Sequence, residues 1–582
     1  MAVALSLAVL LIWQLVFKPA PAPHSPESQP QQKYSKPGIQ AAPPASVTTQ
    51  TAQATPQEAN PTTELTSGKL EPLPAVTGEI SGNKPAGIPA SVEVETDLYK
   101  CVISTDGGYL KSFLLKKFKE TAAKNSPLKE LISRDLPPNK SPLLLGLNLG
   151  GKALSPTVSY APDAMKIDLS GKPAGASQYL RMALKTREGF VVERTYSFTN
   201  GNYLMGLTVK VSESPDVTGE ASSRRVSENA SLNWFTRMDE KKSKSRFGTF
   251  ATVVYAAKGF SKESPSKIRK NGQFTYPQPV WTGFADGYFL DAIIPSGFSG
   301  LAVNSVEGEG DDQIIAQRLE FQDGVVAPGQ QQVYRADVYI GPKEFDRLKA
   351  MGEELNLYRS AEYGYLEEYL RLVTVLVFIL KLFNRLVHNW GLSIILLTVL
   401  VKVIFFPLTR SSFKQMKAMQ ALQPRIKELQ EKYKNDRAKI NEEMMALYRL
   451  HKVNPLGGCL PMLLQLPVLY ALYRTLYVSI ELRYAPFVGW INDLSSPERI
   501  FTLPVFGGVD VGIMPILMAV SMYVQQKMTP TTMDPAQAKM FMMMPLMFAF
   551  ISFGFPSGLV LYWLVSNLLT IAQQYVINRR GT

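Results

Sequence analysis

The sequence predicts a polytopic α-helical membrane protein that carries a large antiparallel β domain outside the bilayer. Three observations point there. Apolar residues gather at the two ends of the 582-residue chain, while Pro, Ala, Ser, Gln and charge fill its first half. Short alternating apolar runs with turn residues between them occupy the middle. Basic residues, 62 Lys and Arg against 49 Asp and Glu, crowd into alternate loops of the C-terminal part. The mean hydropathy of -0.03 averages over these segments and conceals them.

Taken in order, residues 1–17 (MAVALSLAVLLIWQLVF) carry no charge before Lys18 and lie at the short limit for a spanning helix. A small-x-small pair, Ala20 and Ala22, sits inside KPAPAP, where proline hinders signal-peptide processing, so an uncleaved anchor is expected. Residues 18–90 hold few large apolar side chains and read as a disordered Pro/Ala/Gln linker.

Residues 91–342 alternate. Leu180, Met182 and Leu184 share one face of a strand, Tyr203, Met205, Leu207 and Val209 one face of another, and Glu188-Gly189 and Asn200-Gly201 supply turns. This is the pattern of an antiparallel β-sandwich, extended to fit the length.

Residues 343–390 hold connecting and interfacial helices. GPKEFDRLKAMGEELNLYR reads as a charged helix. In the next run Arg371, Lys381, Arg385 and His388 recur at helical spacing among apolar residues, which suits the membrane interface better than a span. Five spanning candidates occupy 391–582, at about 391–409, 459–480, 511–526, 540–555 and 557–577; with the anchor there are six.

Orientation rests on the loops. Residues 410–452 carry eleven Lys or Arg, the next basic loop has Lys527 and Lys539, and the tail has Arg579 and Arg580. The opposite loops hold only Arg483 and Arg499. Positive-inside places the basic loops and the C-terminus in the cytoplasm and the β domain outside. Cys101 and Cys459 then lie on opposite sides, so no disulfide framework is expected.

Motifs for chemistry are missing. There is no Walker A, HExxH, GxSxG or dinucleotide fingerprint, and His24, His388 and His451 are scattered. A covalent catalyst, a metal centre and a cofactor are not expected. The later spans also lack the carboxylates on which ion-coupled transporters rely.

Polar residues in the spans are therefore informative. Lys402 interrupts GLSIILLTVLVKVIFFPLTR, with Thr398 four residues earlier on the same helical face. Gln465, Gln525 and Gln526 lie toward the cytoplasmic half. A lysine there either faces a wet interior or snorkels to the interface. Ten of the 21 methionines fall between Met514 and Met547, which suits a surface that accepts many apolar shapes as well as ordinary lipid contact. Residues 411–455 read as a cytoplasmic helical hairpin, Ile426, Leu429 and Tyr433 repeating before KND and a second helix from Ile440 to Leu450. Its lysines Lys427, Lys432, Lys434 and Lys439 form a basic face for anionic lipid, RNA or a ribosome, or simply for solvent. On these residues alone a channel or transporter, or a membrane anchor for a periplasmic carbohydrate-binding β domain, stays open.

FFPLT, QALQPRIKELQEKY, EEMMALYRLHKVNPLGGCLPMLLQLPVLYALY, QQKMTPTT and FPSGLVLYWLVSNLLTIAQQ resemble, in order and spacing, the YidC insertases of Gram-negative bacteria, within the Oxa/Alb superfamily. The resemblance implies a five-helix insertase core and a periplasmic β-supersandwich. It implies an insertase and chaperone that inserts, folds and assembles integral inner-membrane proteins, alone or with the Sec translocon. No cofactor and no direct nucleic-acid substrate are implied. In this family a hydrophilic groove carries one positive residue, which falls here on Lys402, where the best-known members have arginine; charge is kept and the bidentate fork lost. A hydrophobic slide for the client helix falls on Leu466, Leu469, Tyr562 and Trp563, with Thr398 in the same matched set. Implied partners are nascent membrane-protein clients and the lipid bilayer. The chain ends in NRRGT, so a ribosome contact is left to the cytoplasmic loops. The implied location is the bacterial inner membrane.

Overall fold

In a computed structural model the described residues are 78–80, 90–123, 125–133, 135–214, 226–237, 250–296, 300–308, 313–327, 329–361, 372–433, 436–453, 460–503, 509–528 and 535–580. The expected anchor, most of the linker, Lys434 and Cys459 lie outside them.

Among the described residues the β region contains three sheets. In the nine-stranded one the order is 259–263, 251–256, 281–285, 289–296, 331–342, 204–213, 190–199, 177–185 and 161–162, antiparallel throughout. An eight-stranded sheet is built around 226–237 and 314–320, and a five-stranded one around 99–104. Both depart from the antiparallel expectation at one edge, where 78–80 pairs parallel with 152–154 and 91–95 with 166–168. The alternating residues land where their period requires: Leu180 opposes Tyr196, Leu184 opposes Val192 and Met205 opposes Phe198, all buried on one side of the nine-stranded sheet. Gly189 and Gly201 take the left-handed turn positions, at φ 87° and 81°. Leu232, Trp234, Ile315 and Leu319 of the eight-stranded sheet join the same core.

Beyond residue 342 the described residues are mainly helical. Phe345–Ala350 (α1) is much shorter than the charged helix expected there, because Gly352 at φ 127° and Asn356 at φ 50° turn the chain. Leu348 buries in the β core, so α1 belongs to that domain. Leu372–Val387 (α2) turns Val373, Leu376 and Leu380 inward and Phe378 and Leu386 outward.

The expected span at 391–409 is broken. Trp390–Ile404 (α3) and Phe406–Ala421 (α4) meet at Phe405 with a bend of 62°. Pro407 in the first turn of α4 has no N–H to give the preceding turn and its ring crowds it. Gln423–Lys432 (α5) and Arg437–Leu450 (α6) fold back on each other around Leu422, Ile426 and Tyr448. The Asp436 carboxylate caps α6 by accepting from Lys439 N at 2.9 Å.

Leu460–Val478 (α7), Ile513–Met528 (α8), Pro535–Ser552 (α9) and Ser557–Arg580 (α10) complete the set. α9 begins earlier than the expected 540–555. Leu376, Ile394, Leu397, Leu472, Leu476, Met518, Leu559 and Tyr562 share one core, so α2, α3, α7, α8 and α10 pack together. Outward, Val403, Ile404, Ile516, Val520, Met543, Leu546 and Phe550 are exposed, an apolar belt that water would penalise and lipid would not. Among the described residues, Ser557–Ile577 is long and apolar enough to cross a bilayer by itself, and the bent pair α3 and α4 passes if taken as one span.

Candidate functional site

α10 has a polar face. Ser566, Asn567, Thr570, Gln573 and Gln574 recur at i, i+1, i+4, i+7 and i+8 in an otherwise apolar helix, and three other helices bring polar groups to it. From α3, the Lys402 ammonium donates to Thr570 Oγ1 at 2.8 Å, and Thr570 in turn donates to the Ser566 carbonyl at 2.8 Å. From α7, Gln465 Nε2 donates to Ser566 Oγ at 2.8 Å. On the α8 side, Asn567 Nδ2 donates to Ser521 Oγ at 3.1 Å and Gln574 Nε2 to the Met528 carbonyl at 2.6 Å.

Lys402 is half-buried and turned inward. Its partner is a neutral hydroxyl, which orients the ammonium and takes one of its three donors without cancelling the charge. No Asp or Glu occurs in α3, α7, α8 or α10, so the interior of these helices is electrically positive. Thr398 is fully buried one turn from Lys402, but its hydroxyl donates to the Ile394 carbonyl of its own helix at 2.7 Å. Gln525 and Gln526 sit half-buried in the last turns of α8. The structure thus joins Lys402 and Gln465 through Ser566 and Thr570, two residues outside the sequence-derived candidates; their signal is the polar spacing along α10.

The four residues matched to an apolar slide are differently placed. Leu466 is 42% exposed, Leu469 and Trp563 are half-buried, and Tyr562 is 1% exposed inside the helical core. Trp563 packs edge-on against Phe548, ring centroids 5.3 Å apart. On the hairpin, Lys427, Lys432 and Lys439 are exposed, and Lys432 lies over the Tyr433 ring at 5.2 Å.

The other end of the bundle is closed by the loop after α7. Asn389 caps α3, accepting from Leu392 N at 3.0 Å and donating to the Phe487 carbonyl at 3.1 Å. Gly391 lies so close to Phe487 that a Cβ there would stand 2.0 Å from the ring. Ser557 at the start of α10 donates through Oγ to the Asp493 carbonyl at 2.6 Å, and Gly558 N to the Leu494 carbonyl at 3.0 Å. Glu498 accepts from Met514 N at 2.8 Å in the first turn of α8 and also from the Trp490 indole. One loop therefore satisfies orphan donors at the starts of α8 and α10 and braces the start of α3. Partners this far apart in the chain leave no sequence signal.

Residues 382–582 match the family described as 60Kd inner membrane protein, and residues 91–377 match the YidC periplasmic domain. Curated relatives named membrane protein insertase YidC include one from Syntrophus aciditrophicus, 35% identical over 100% of this chain and 99% of its own length. One from Geobacter sulfurreducens is 40% identical over 83% of this chain and 85% of its own, and one from Pelobacter propionicus 36% identical over 100% and 98%.

Proposed function

The chain belongs to the YidC family of membrane protein insertases, and from that premise we propose how its helices do the work. The protein is a membrane protein insertase. In our reading α3, α7, α8, α9 and α10 span the inner membrane with residues 1–17 as a sixth, anchoring helix. Residues 91–342 form the periplasmic domain, 343–390 connect it to the membrane, and the hairpin at 411–455 and the C-terminus face the cytoplasm.

The polar face of α10, with Lys402, Thr398, Gln465, Gln525 and Gln526 around it, is the groove that receives the hydrophilic segment of a client. The observation that carries this is the inward Lys402, held on Thr570 at 2.8 Å with no carboxylate in the surrounding helices. A cation partly withdrawn from bulk water attracts an acidic client segment more strongly than one in bulk solvent. No bond is made or broken and no catalytic residue or cofactor is needed, since the site lowers the cost of moving polar groups into the bilayer. The client's apolar helix leaves along Leu466, Leu469, Tyr562 and Trp563. Leu466, 42% exposed, supports that exit, and Tyr562 serves it from beneath, as packing.

Helix length supports the same reading. α3 has 15 residues and α8 has 16, about 23 and 24 Å of rise against a hydrocarbon core of about 30 Å, so both thin the bilayer where a client crosses. The protein works alone or with the Sec translocon, and the exposed hairpin lysines meet the ribosome or anionic lipid. The test is depletion of the protein in its native host, with scoring of which inner-membrane proteins fail to insert. Normal insertion of every inner-membrane protein after depletion contradicts the reading.

A further inference from the structure

We propose that a collar of apolar side chains at the start of α8 docks into the outer leaflet of the inner membrane, at the boundary between headgroups and acyl chains. There it confines the thinning caused by this short helix to the cytoplasmic leaflet. The inference rests on the reading that α8 spans the membrane with its first turn on the periplasmic side.

α8 presents one apolar stripe outward. Ile513, Ile516, Leu517 and Val520 recur at i, i+3, i+4 and i+7, and all four are exposed. The apolar surface continues past the helix start: Trp490 is 50% exposed, Ile500 45% and Phe501 53%. Backbone contacts bring two of these to the helix. The Ile500 N–H donates to the Val511 carbonyl at 3.1 Å, and Phe501 pairs with Val511 in the ribbon formed by 501–503 and 509–511, two residues before α8. Trp490 is held from the other side by Glu498, which accepts from its indole N–H through Oε1 and from Met514 N through Oε2. Gly512 permits this approach, since a Cβ there would stand 2.5 Å from Glu498 Oε2.

The chemistry of the collar fits lipid. With its one N–H donated inward, the Trp490 indole has no donor left for water and shows an apolar ring outward. Arg499 at the same rim is paired with Asp510, Nε to Oδ2 at 2.8 Å, so its charge is already met within the protein. Large apolar side chains continuous with a lipid-facing stripe mark a surface that the membrane covers. Helix length gives an independent reason. The 16 residues of α8 rise about 24 Å against a hydrocarbon core of about 30 Å, which leaves about 6 Å of apolar depth unmatched. Side chains standing beyond the first turn supply part of that depth at the outer end, whereas the last turn carries Lys527. The remaining mismatch therefore falls on the cytoplasmic leaflet, the side from which a client enters.

The test uses the full chain in phospholipid nanodiscs, with Cys459→Ser and with Cys101 left fully buried in the β core. A nitroxide is attached at Ile500→Cys or Phe501→Cys, and its collisions with oxygen, which concentrates in lipid, are compared with those of a water-soluble nickel chelate. Val520→Cys on the stripe gives the lipid reference, and Tyr179→Cys, 64% exposed on the β domain, the water reference. The chain without a reporter supplies the blank. Both collar labels should show an oxygen-to-nickel ratio several-fold above that of Tyr179→Cys and close to that of Val520→Cys. A ratio equal to that of Tyr179→Cys overturns the collar. Low collision rates with both reagents also overturn it, in favour of a protein partner or a second copy on this patch. If Val520→Cys itself reads as water, the spanning reading fails instead. Thickness is tested by melting the parent and the Ile500→Asp, Phe501→Asp double variant in nanodiscs of short, medium and long acyl chains. The parent should be most stable in longer chains than the variant, and identical profiles overturn the confinement of thinning to one leaflet.

Discussion

Lys402 and Thr570 meet at 2.8 Å across α3 and α10, 168 residues apart in the chain, and Gln465 reaches the same helix one turn away through Ser566. A hydrogen bond to a charged group contributes about 1.5–3 kcal/mol. Lys402 lies in the last turn of α3, off the centre, so its cost falls below the roughly 2.5–3.5 kcal/mol of a lysine at the centre of a spanning helix. The bond therefore keeps the ammonium at depth instead of letting it snorkel.

Gly391 should not tolerate a side chain. Its Cα faces Phe487, and a methyl group would fall inside the ring's contact distance. Gly391→Ala is expected to cost about 1–3 kcal/mol through overpacking, read as a lower melting temperature and lower accumulation in membranes. Pairing it with Phe487→Leu should recover part of the loss; equal stability of Gly391→Ala and parent contradicts the packing.

The β domain should lose stability as pH rises through the weakly acidic range. Burial drives the Glu228 carboxyl from its usual 4.5 up to about 7, the Tyr334 hydroxyl acting in the opposite direction. Burial also holds Asp291 well above the carboxylate range, with the charge of Asp286 adding to it. The folded state then binds more protons than the unfolded one, so the Glu228 contribution is full below about pH 4.5 and is lost as pH climbs to about 7. Thermal melts from pH 4 to 8 should show this slope, and Glu228→Gln should flatten it over that window.

Orientation is open to a simple labelling test. A cysteine at exposed Lys432 should be shielded from an impermeant reagent in cells with only the outer membrane permeabilised, while one at Val488, 64% exposed, should react. Val488 is a better reporter than Asp493, whose carboxylate orders the loop through Tyr484 and Ser495. The opposite pattern removes the cytoplasmic hairpin and the groove orientation together.

Replacing Lys427, Lys432, Lys434 and Lys439 by glutamine should slow the first contact with ribosome-bound clients and leave melting nearly unchanged. The three described lysines are exposed, where single charges contribute little to stability and much to encounter. Unaltered client crosslinking at low and physiological salt would assign the face to solvation.

Much of the fold is legible in local signals. Period-two alternation places Leu180, Met182, Leu184 and their partners inward because one face of that sheet is buried. It says nothing of Arg194, which takes an apolar position on the same face and donates to the Gly107 and Leu143 carbonyls in the core. The break at Phe405 has a signal in Pro407 that a hydropathy run conceals. The proposed groove is half visible: Lys402 stands out as a charge in an apolar run, whereas Ser566 and Thr570 are small, uncharged and lost in the average. Lys381 lies 2.8 Å from both Asp346 and Glu481, and these contacts, like those of Asp493 with Tyr484 and Ser557, join elements far apart in sequence, so only the fold brings them together.

The central claim is that Lys402 is a working charge facing a groove, and client insertion by Lys402 variants at matched accumulation tests it most directly. The assay scores protease protection of clients with acidic translocated tails, with Thr570→Val and Thr570→Ser alongside to report the bond that orients the ammonium. Lys402→Arg should insert like the parent, Lys402→Ala should fail for acidic tails while sparing uncharged ones, and Lys402→Glu should be worst. Thr570→Val should fall between parent and Lys402→Ala, and Thr570→Ser should match the parent. If Lys402→Ala supports every client at the parental rate, the lysine is not the groove charge and the account fails.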